Sequence, residues 1–256
     1  MTAASAAASI ANAAAAAAQA PAPIIIRMHP RRHLRYAPMV FAAAFGMCAC
    51  SSQPPAPDWQ ITARDALERS VSAYLSGDAR IEAREFARAT GAIARTGRGD
   101  LLARAELARC AAQVASLVVQ ECRGFTQLAP DAAPAERAYA AFLSGQVAAV
   151  DVALLPPQYR GFATAVAAAQ PAALVGIGDP VSTLVAAGVL FRQAQASPEV
   201  AEIAVQTASA QGWRRPLLAW LGVQAQRAQQ AGASAEVQRL QRRMAVVLQG
   251  GVLSAP

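Results

Sequence analysis

From Tyr139 to Phe191 the chain carries only three charged side chains, Asp151, Arg160 and Asp179. A run so poor in charge has to be buried, either in a membrane or in a protein core. Pro156, Pro157, Pro171, Gly176, Gly178 and Pro180 break it well short of the about twenty apolar residues that a membrane-spanning helix needs. The expectation is therefore a set of helices, apolar nearly all round, packed in the middle of a bundle; an apolar groove or patch for a partner is the alternative. Gly176 to Pro180 (GIGDP) is not a nucleotide loop, because it lacks a third glycine and follows no strand pattern. Asp179 and Pro180 read instead as the N-cap and first residue of a helix.

Helical periodicity continues on both sides. Thr62 followed by Asp65 predicts a capping-box-like start, and Leu67, Val71, Tyr74 and Leu75 form one stripe before Gly77 ends the helix. Asp78 caps the next, with Ile81, Phe86, Ala89 and Ile93 inward and Arg80, Arg84 and Arg88 on one outward ridge. Glu82 and Glu85 lie beside that ridge and read as members of the same solvated face, laced to it by local ion pairs. Asp100 opens a third helix with Leu107, Cys110, Val114, Leu117 and Val118 inward. Ser197 and Pro198 start another, carrying Val200, Ile203, Ala204 and Thr207 and ending at Gly212. Arg214 to Ala231 follows, stopping at Gly232, and Ser234 caps a last helix with Val237, Leu240, Met244 and Val247 inward. The final two form a hairpin. No alternating apolar pattern of useful length occurs, so the fold class is all-α: a bundle or short array of helical hairpins.

Two places resemble the tetratricopeptide pattern of paired helices. One is Tyr74, Gly77, Asp78, Phe86 and Ala89; the other is Leu218, Leu221 and Gly222 with the turn from Gly232 to Ser234. No third copy recurs at a fixed period of about 34 residues.

The N-terminal quarter gives an address. Residues 1–27 are mostly alanine, a low-complexity stretch or a translation start placed too early, with Met28 the initiator. Arg31, Arg32, His33 and Arg35 then precede a short apolar run from Tyr36 to Met47, the layout of a secretory signal over 28–49. Met47, Cys48, Ala49 and Cys50 resemble the lipobox of bacterial lipoproteins, in which a small residue precedes a cysteine that is acylated and becomes the first mature residue. The resemblance implies lipidation at Cys50; a plain cleaved signal and an uncleaved membrane stub are the alternatives. Two or three acyl chains, at about 0.8 kcal/mol per buried methylene, anchor stably where one is marginal. Ser51 rather than aspartate follows Cys50, which in that family favours the outer membrane. Residues 50–58 are then the acylated cysteine and a proline-rich spacer, 59–249 an all-helical periplasmic domain, and 250–256 a tail.

With Cys50 lipidated, Cys110 and Cys122 are the cysteines left in an oxidising compartment. A bridge between them requires the third helix to stop by roughly residue 119, so that two Cα atoms can approach within about 6 Å. Two free thiols, one simply buried, are the alternative.

The net charge of +7 suggests nucleic acid until it is divided. Every cation is arginine, four of the 23 precede Cys50, and the 19 that follow face 16 acids. No basic stripe with interleaved aromatics is present, so no nucleic-acid partner is expected. Both histidines, His29 and His33, lie in the signal, so a mature chain could carry no Ser-His-Asp triad, Cys-His pair or His-ligated zinc. The leading expectation is a non-enzymatic interaction or assembly module on the periplasmic face of the outer membrane, without cofactor or metal. Its partners would be the membrane, through the anchor, and an envelope protein. Arg214, Arg215, Arg227, Arg239, Arg242 and Arg243 face one acid, Glu236, in the final hairpin; Arg214, Arg215, Arg239, Arg242 and Arg243 are its candidate contacts. A glycan-cleaving enzyme using carboxylates alone, such as Glu82 and Glu85, is a second reading, although exposure on a charged face opposes the raised pKa of a general acid. A carrier of an apolar ligand in the charge-poor middle is a third.

Overall fold

The computed structural model describes residues 56–165 and 170–253, which leaves the signal, Cys48, Cys50 and most of the spacer outside the described residues. Among the described residues the fold is all-α, with eleven α-helices, three 3-10 turns and no strand. Pro57 holds extended backbone and its carbonyl accepts from the Gln60 and Ile61 N–H groups, so α1 runs Asp58–Ser76. The capping-box start expected at Thr62 is therefore not used: proline before the first turn nucleates the helix four residues earlier. Gly77, at φ 90°, closes α1 in the left-handed conformation that a side chain disfavours. Asp78 accepts from the Ile81 N–H at 2.9 Å and starts α2, Ala79–Ala94. The two helices form an antiparallel hairpin, and α3, Gly99–Ala115, crosses it over a small satellite core of Ala63, Phe86, Ala92, Ile93 and Ala105.

α3 stops at Ala115, and Leu117 at φ 58° turns the chain back. Cys122 immediately precedes the short helix α4, Arg123–Leu128. The expected bridge is present: Cys110 and Cys122 form a disulfide with Cα atoms 5.5 Å apart. A 3-10 turn at Ala129–Asp131, α5 at Pro134–Leu143, further 3-10 turns at Val147–Ala149 and Val152–Leu154, α6 at Pro157–Ala165 and α7 at Gln170–Val175 complete the charge-poor half.

α8, Pro180–Arg192, is the axle of the main core. Asp179 caps it by accepting from the Ser182 N–H at 2.8 Å, with Pro180 in the first turn, as the GIGDP reading expects. All ten residues from Val181 to Leu190 are buried, and the helix packs against α3, α5, α6, α7 and α9. A helix apolar all round has found neighbours all round. At Gly188 the backbones of α8 and α3 come so close that a Cβ there would sit 2.3 Å from the Val114 carbonyl oxygen. The rings of Tyr139, Phe142, Tyr159 and Phe162 pack together beside it, centroids 4.9 to 6.1 Å apart, with Phe162 edge-on to Phe142.

Ser197 accepts from the Val200 N–H and starts α9, Pro198–Ala210. α10, Arg214–Gln230, and α11, Ser234–Leu253, make the final hairpin, with α11 running past the expected end at 249. Trp220 of α10 is fully buried, and its indole Nε1–H donates to the Ala115 carbonyl at 3.2 Å, joining the hairpin to the end of α3.

Candidate functional site

Burial sorts the acids of the α1–α2 hairpin differently from the helical ridge pattern. Glu82 and Glu85, expected on the solvated face, are each only 6% exposed, Glu82 reached by a neighbouring helix and Glu85 covered by the arginines around it. The reason lies on neighbouring helices. Arg109 of α3 reaches Glu82, Nε to Oε1 2.8 Å, with its guanidinium 4.6 Å above the Phe86 ring. Glu85 takes a hydrogen bond of 2.9 Å from Arg69 of α1, with Arg84 at 3.3 Å and Arg88 at 3.9 Å. The Arg69 hydrogen bond holds the Glu85 carboxyl below the usual carboxylate range. Glu85, paired in this way, is held in its ionised form, which suits a structural ion pair.

Glu106, one turn before Cys110, behaves oppositely. Burial pushes its carboxyl above the ordinary glutamate range, Arg109 opposes that shift and Glu82 adds to it. Its carboxylate lies directly over Gly124 of α4, where a Cβ would meet it at 2.0 Å. Together with Arg109, Gln113, Cys122 and Arg123 it lines a small polar cleft of about 180 Å³ beside the disulfide. A second, larger cleft of about 420 Å³ opens between α9, α10 and α11, with Glu199, Glu202 and Glu236 facing Arg227 and Arg239. Glu202 accepts from Gln206 at 2.8 Å and Gln224 at 2.7 Å, bonds that lower its pKa. No group of His, Cys, Asp and Glu suited to a metal occurs among the described residues.

The arginines expected to form one contact surface fall into two sets. Arg214 donates to the Ser76 carbonyl at 3.0 Å; Arg215 donates to the Tyr74 carbonyl at 2.8 Å and stacks 4.3 Å above the Tyr74 ring. Both close the C-terminal end of α1, whose last carbonyls have no partner within the helix. Arg239, Arg242 and Arg243 sit on α11, Arg239 paired with Glu236 at 2.6 Å, Arg243 reaching Ser209 at 3.4 Å and Arg242 exposed.

No protein-family model, curated protein or solved structure matches this chain. The tetratricopeptide resemblance therefore rests on the residues of its two hairpins alone.

One recurrent role is invisible to helical periodicity: arginine as a cap for loop carbonyls. Arg137 donates to Ala132, Arg160 to Leu155, Arg192 to Val118 and Gln120, and Arg227 to Ala196 and Ser197. A signal exists for Arg160 and Arg192, which have no acid nearby in sequence and must find other acceptors for a five-donor group.

Proposed function

We propose that this protein is an exported, lipid-anchored helical module of the outer membrane, non-enzymatic, which presents its domain to a protein partner on the periplasmic face. The observation that carries this reading is the Cys110–Cys122 bridge. It uses both cysteines of the described domain, a pairing that persists in oxidising compartments, and it agrees with a signal that ends at Cys50. Supporting it are the lipobox resemblance, the all-α fold and the engagement of Glu82 and Glu85 in ion pairs. The part of the basic hairpin left outward for a partner is Arg239, Arg242 and Arg243 on α11.

Mass spectrometry of the membrane-extracted protein is expected to find an acylated N-terminal Cys50 and nothing of residues 1 to 49. Cys50→Ala should release the domain or block processing. A mature chain that begins elsewhere without acyl groups would end the lipoprotein reading. Crosslinking in the same membranes should capture a protein through α11, and loss of that capture in an Arg242→Gln, Arg243→Gln variant is the expected result.

A further inference from the structure

The two acids of α2 are both covered, Glu82 by Arg109 of α3 and Glu85 by Arg69, Arg84 and Arg88, and what remains outside is uniform. Its exposed positions are Ala79, Arg80, Ala83, Arg84, Ala87, Arg88, Gly91 and Ala94, with Arg95 directly after. Among the described residues the one carboxylate that reaches this face is Glu85, which Arg84 and Arg88 approach at 3.3 and 3.9 Å and cover. Arg84 and Arg88 keep 73% and 56% of their side-chain surface exposed although both approach Glu85. One buried carboxylate thus gathers Arg69, Arg84 and Arg88 and cannot neutralise them. Over residues 58–95 six arginines balance six acids, with Arg64 paired to Glu68 at 3.0 Å, so the positive charge is a property of the outer face of α2 and not of the hairpin as a whole.

Position decides what this face meets. In an antiparallel hairpin the C-terminal end of α2 returns to the N-terminal end of α1, so Arg88 and Arg95 lie at the end where the chain arrives from Cys50. The eight residues from Cys50 to Asp58 span at most about 28 Å, and α1 advances only about 16 Å from Asp58 to Arg69. We infer that the outer face of α2, Arg80, Arg84, Arg88 and Arg95, lies on the membrane surface and pairs with the phosphates of anionic phospholipids. This inference rests on the lipid-anchor reading above, because the anchor brings the face within reach of the bilayer. Arginine is the side chain suited to such a contact, since its planar fork binds phosphate oxygens in pairs. Each arginine near an anionic surface contributes about a fivefold preference, so the face turns a tether into an oriented contact.

The test uses the acylated protein purified from membranes and placed in vesicles of phosphatidylcholine, alone or mixed with phosphatidylglycerol. Phenylglyoxal modifies accessible arginines, and peptide mass spectrometry reads the rate at each, with Arg242 of α11 as internal reference. Arg80, Arg84 and Arg88 are expected to react several-fold more slowly than the reference in anionic vesicles, to recover in neutral ones, and to recover again at high salt. Equal relative rates in both vesicles, or protection that neutral vesicles also give, would overturn the inference. Protection seen in native membranes but in neither protein-free vesicle would assign the face to an acidic protein instead and equally overturn it. If Cys50 proves unacylated, the anchor reading fails separately. The unanchored chain is then sedimented with the same vesicles: binding to anionic vesicles, lost in an Arg80→Gln, Arg84→Gln, Arg88→Gln variant, upholds the face, and no binding refutes it. Arg69 stays in that variant, so Glu85 keeps its 2.9 Å partner and the fold is not at stake.

Discussion

The two ends of the domain reach burial by opposite means. Around α8 every direction is apolar, polar groups are few, and helices meet closely enough that Gly188 touches the α3 backbone. At the α1–α2–α3 end the apolar satellite core is small, and Glu82, Glu85 and Glu136 are buried against Arg109, Arg69 and Arg104. Burial of apolar surface stabilises without regard to pH and is not screened by salt as charge pairs are. Buried ion pairs add little net energy but fix which partner sits where, and breaking one is costly. The first region should therefore set the stability of the domain, while the second sets the register of its helices and its response to solution conditions.

The sharpest way to break that contrast is at its apolar end. Trp220→Ala empties a fully buried site and leaves the Ala115 carbonyl without its indole donor. A loss of about 3–5 kcal/mol in urea unfolding is expected. A loss under about 1 kcal/mol would mean that the final hairpin is not coupled to α8 and α3.

Next in size is the disulfide. Closing a loop across a separation of 12 residues contributes roughly 3 kcal/mol in the chain-entropy model, so reduction should lower the melting temperature measurably. Thiol labelling at both cysteines of the unreduced, denatured protein would show that the bridge does not form in the cell.

The same contrast explains what is legible without a structure. α8 is legible because its signals are local: Asp179 and Pro180 start it, and the lack of charge from Pro180 to Phe191 leaves no face for water before Arg192. The bridge is legible because it depends on one unknown, the stop of α3, and Leu117 supplies it. Glu82 and Glu85 are legible only in part: the local pairs of Glu85 with Arg84 and Arg88 form as the ridge pattern expects, but the burial of both acids does not show on one helix, because Arg109 and Arg69 come from 27 and 16 residues away. Arg214 likewise looks free in sequence, since the Ser76 carbonyl it closes is 138 residues distant. Periodicity reports the face of a single helix; it says nothing about which charge another helix brings to that face.

The smallest expected effect separates the two kinds of carboxylate within the polar end. Glu85 has its pKa lowered, so its contribution to stability is present above the ordinary glutamate range and is lost as pH falls through its folded value. Glu106 has its pKa raised, chiefly by burial, so the fold favours its protonated form. Its contribution is full below the ordinary glutamate range and is lost as pH rises through the folded value. Glu106→Gln removes that titration. The variant should therefore match the native protein in acid and exceed it at neutral pH, by about 0.5 kcal/mol or less because the side chain is only half-buried. Glu85→Gln should do the reverse, costing stability at neutral pH and little in acid. Parallel melting curves across pH decide the matter: if Glu106→Gln instead matches the native protein in acid and is less stable than it at neutral pH, the pattern expected for Glu85→Gln, the Glu106 carboxylate is held by its neighbours rather than penalised by burial. The cleft beside the disulfide would then belong with the ion pairs of Glu82 and Glu85.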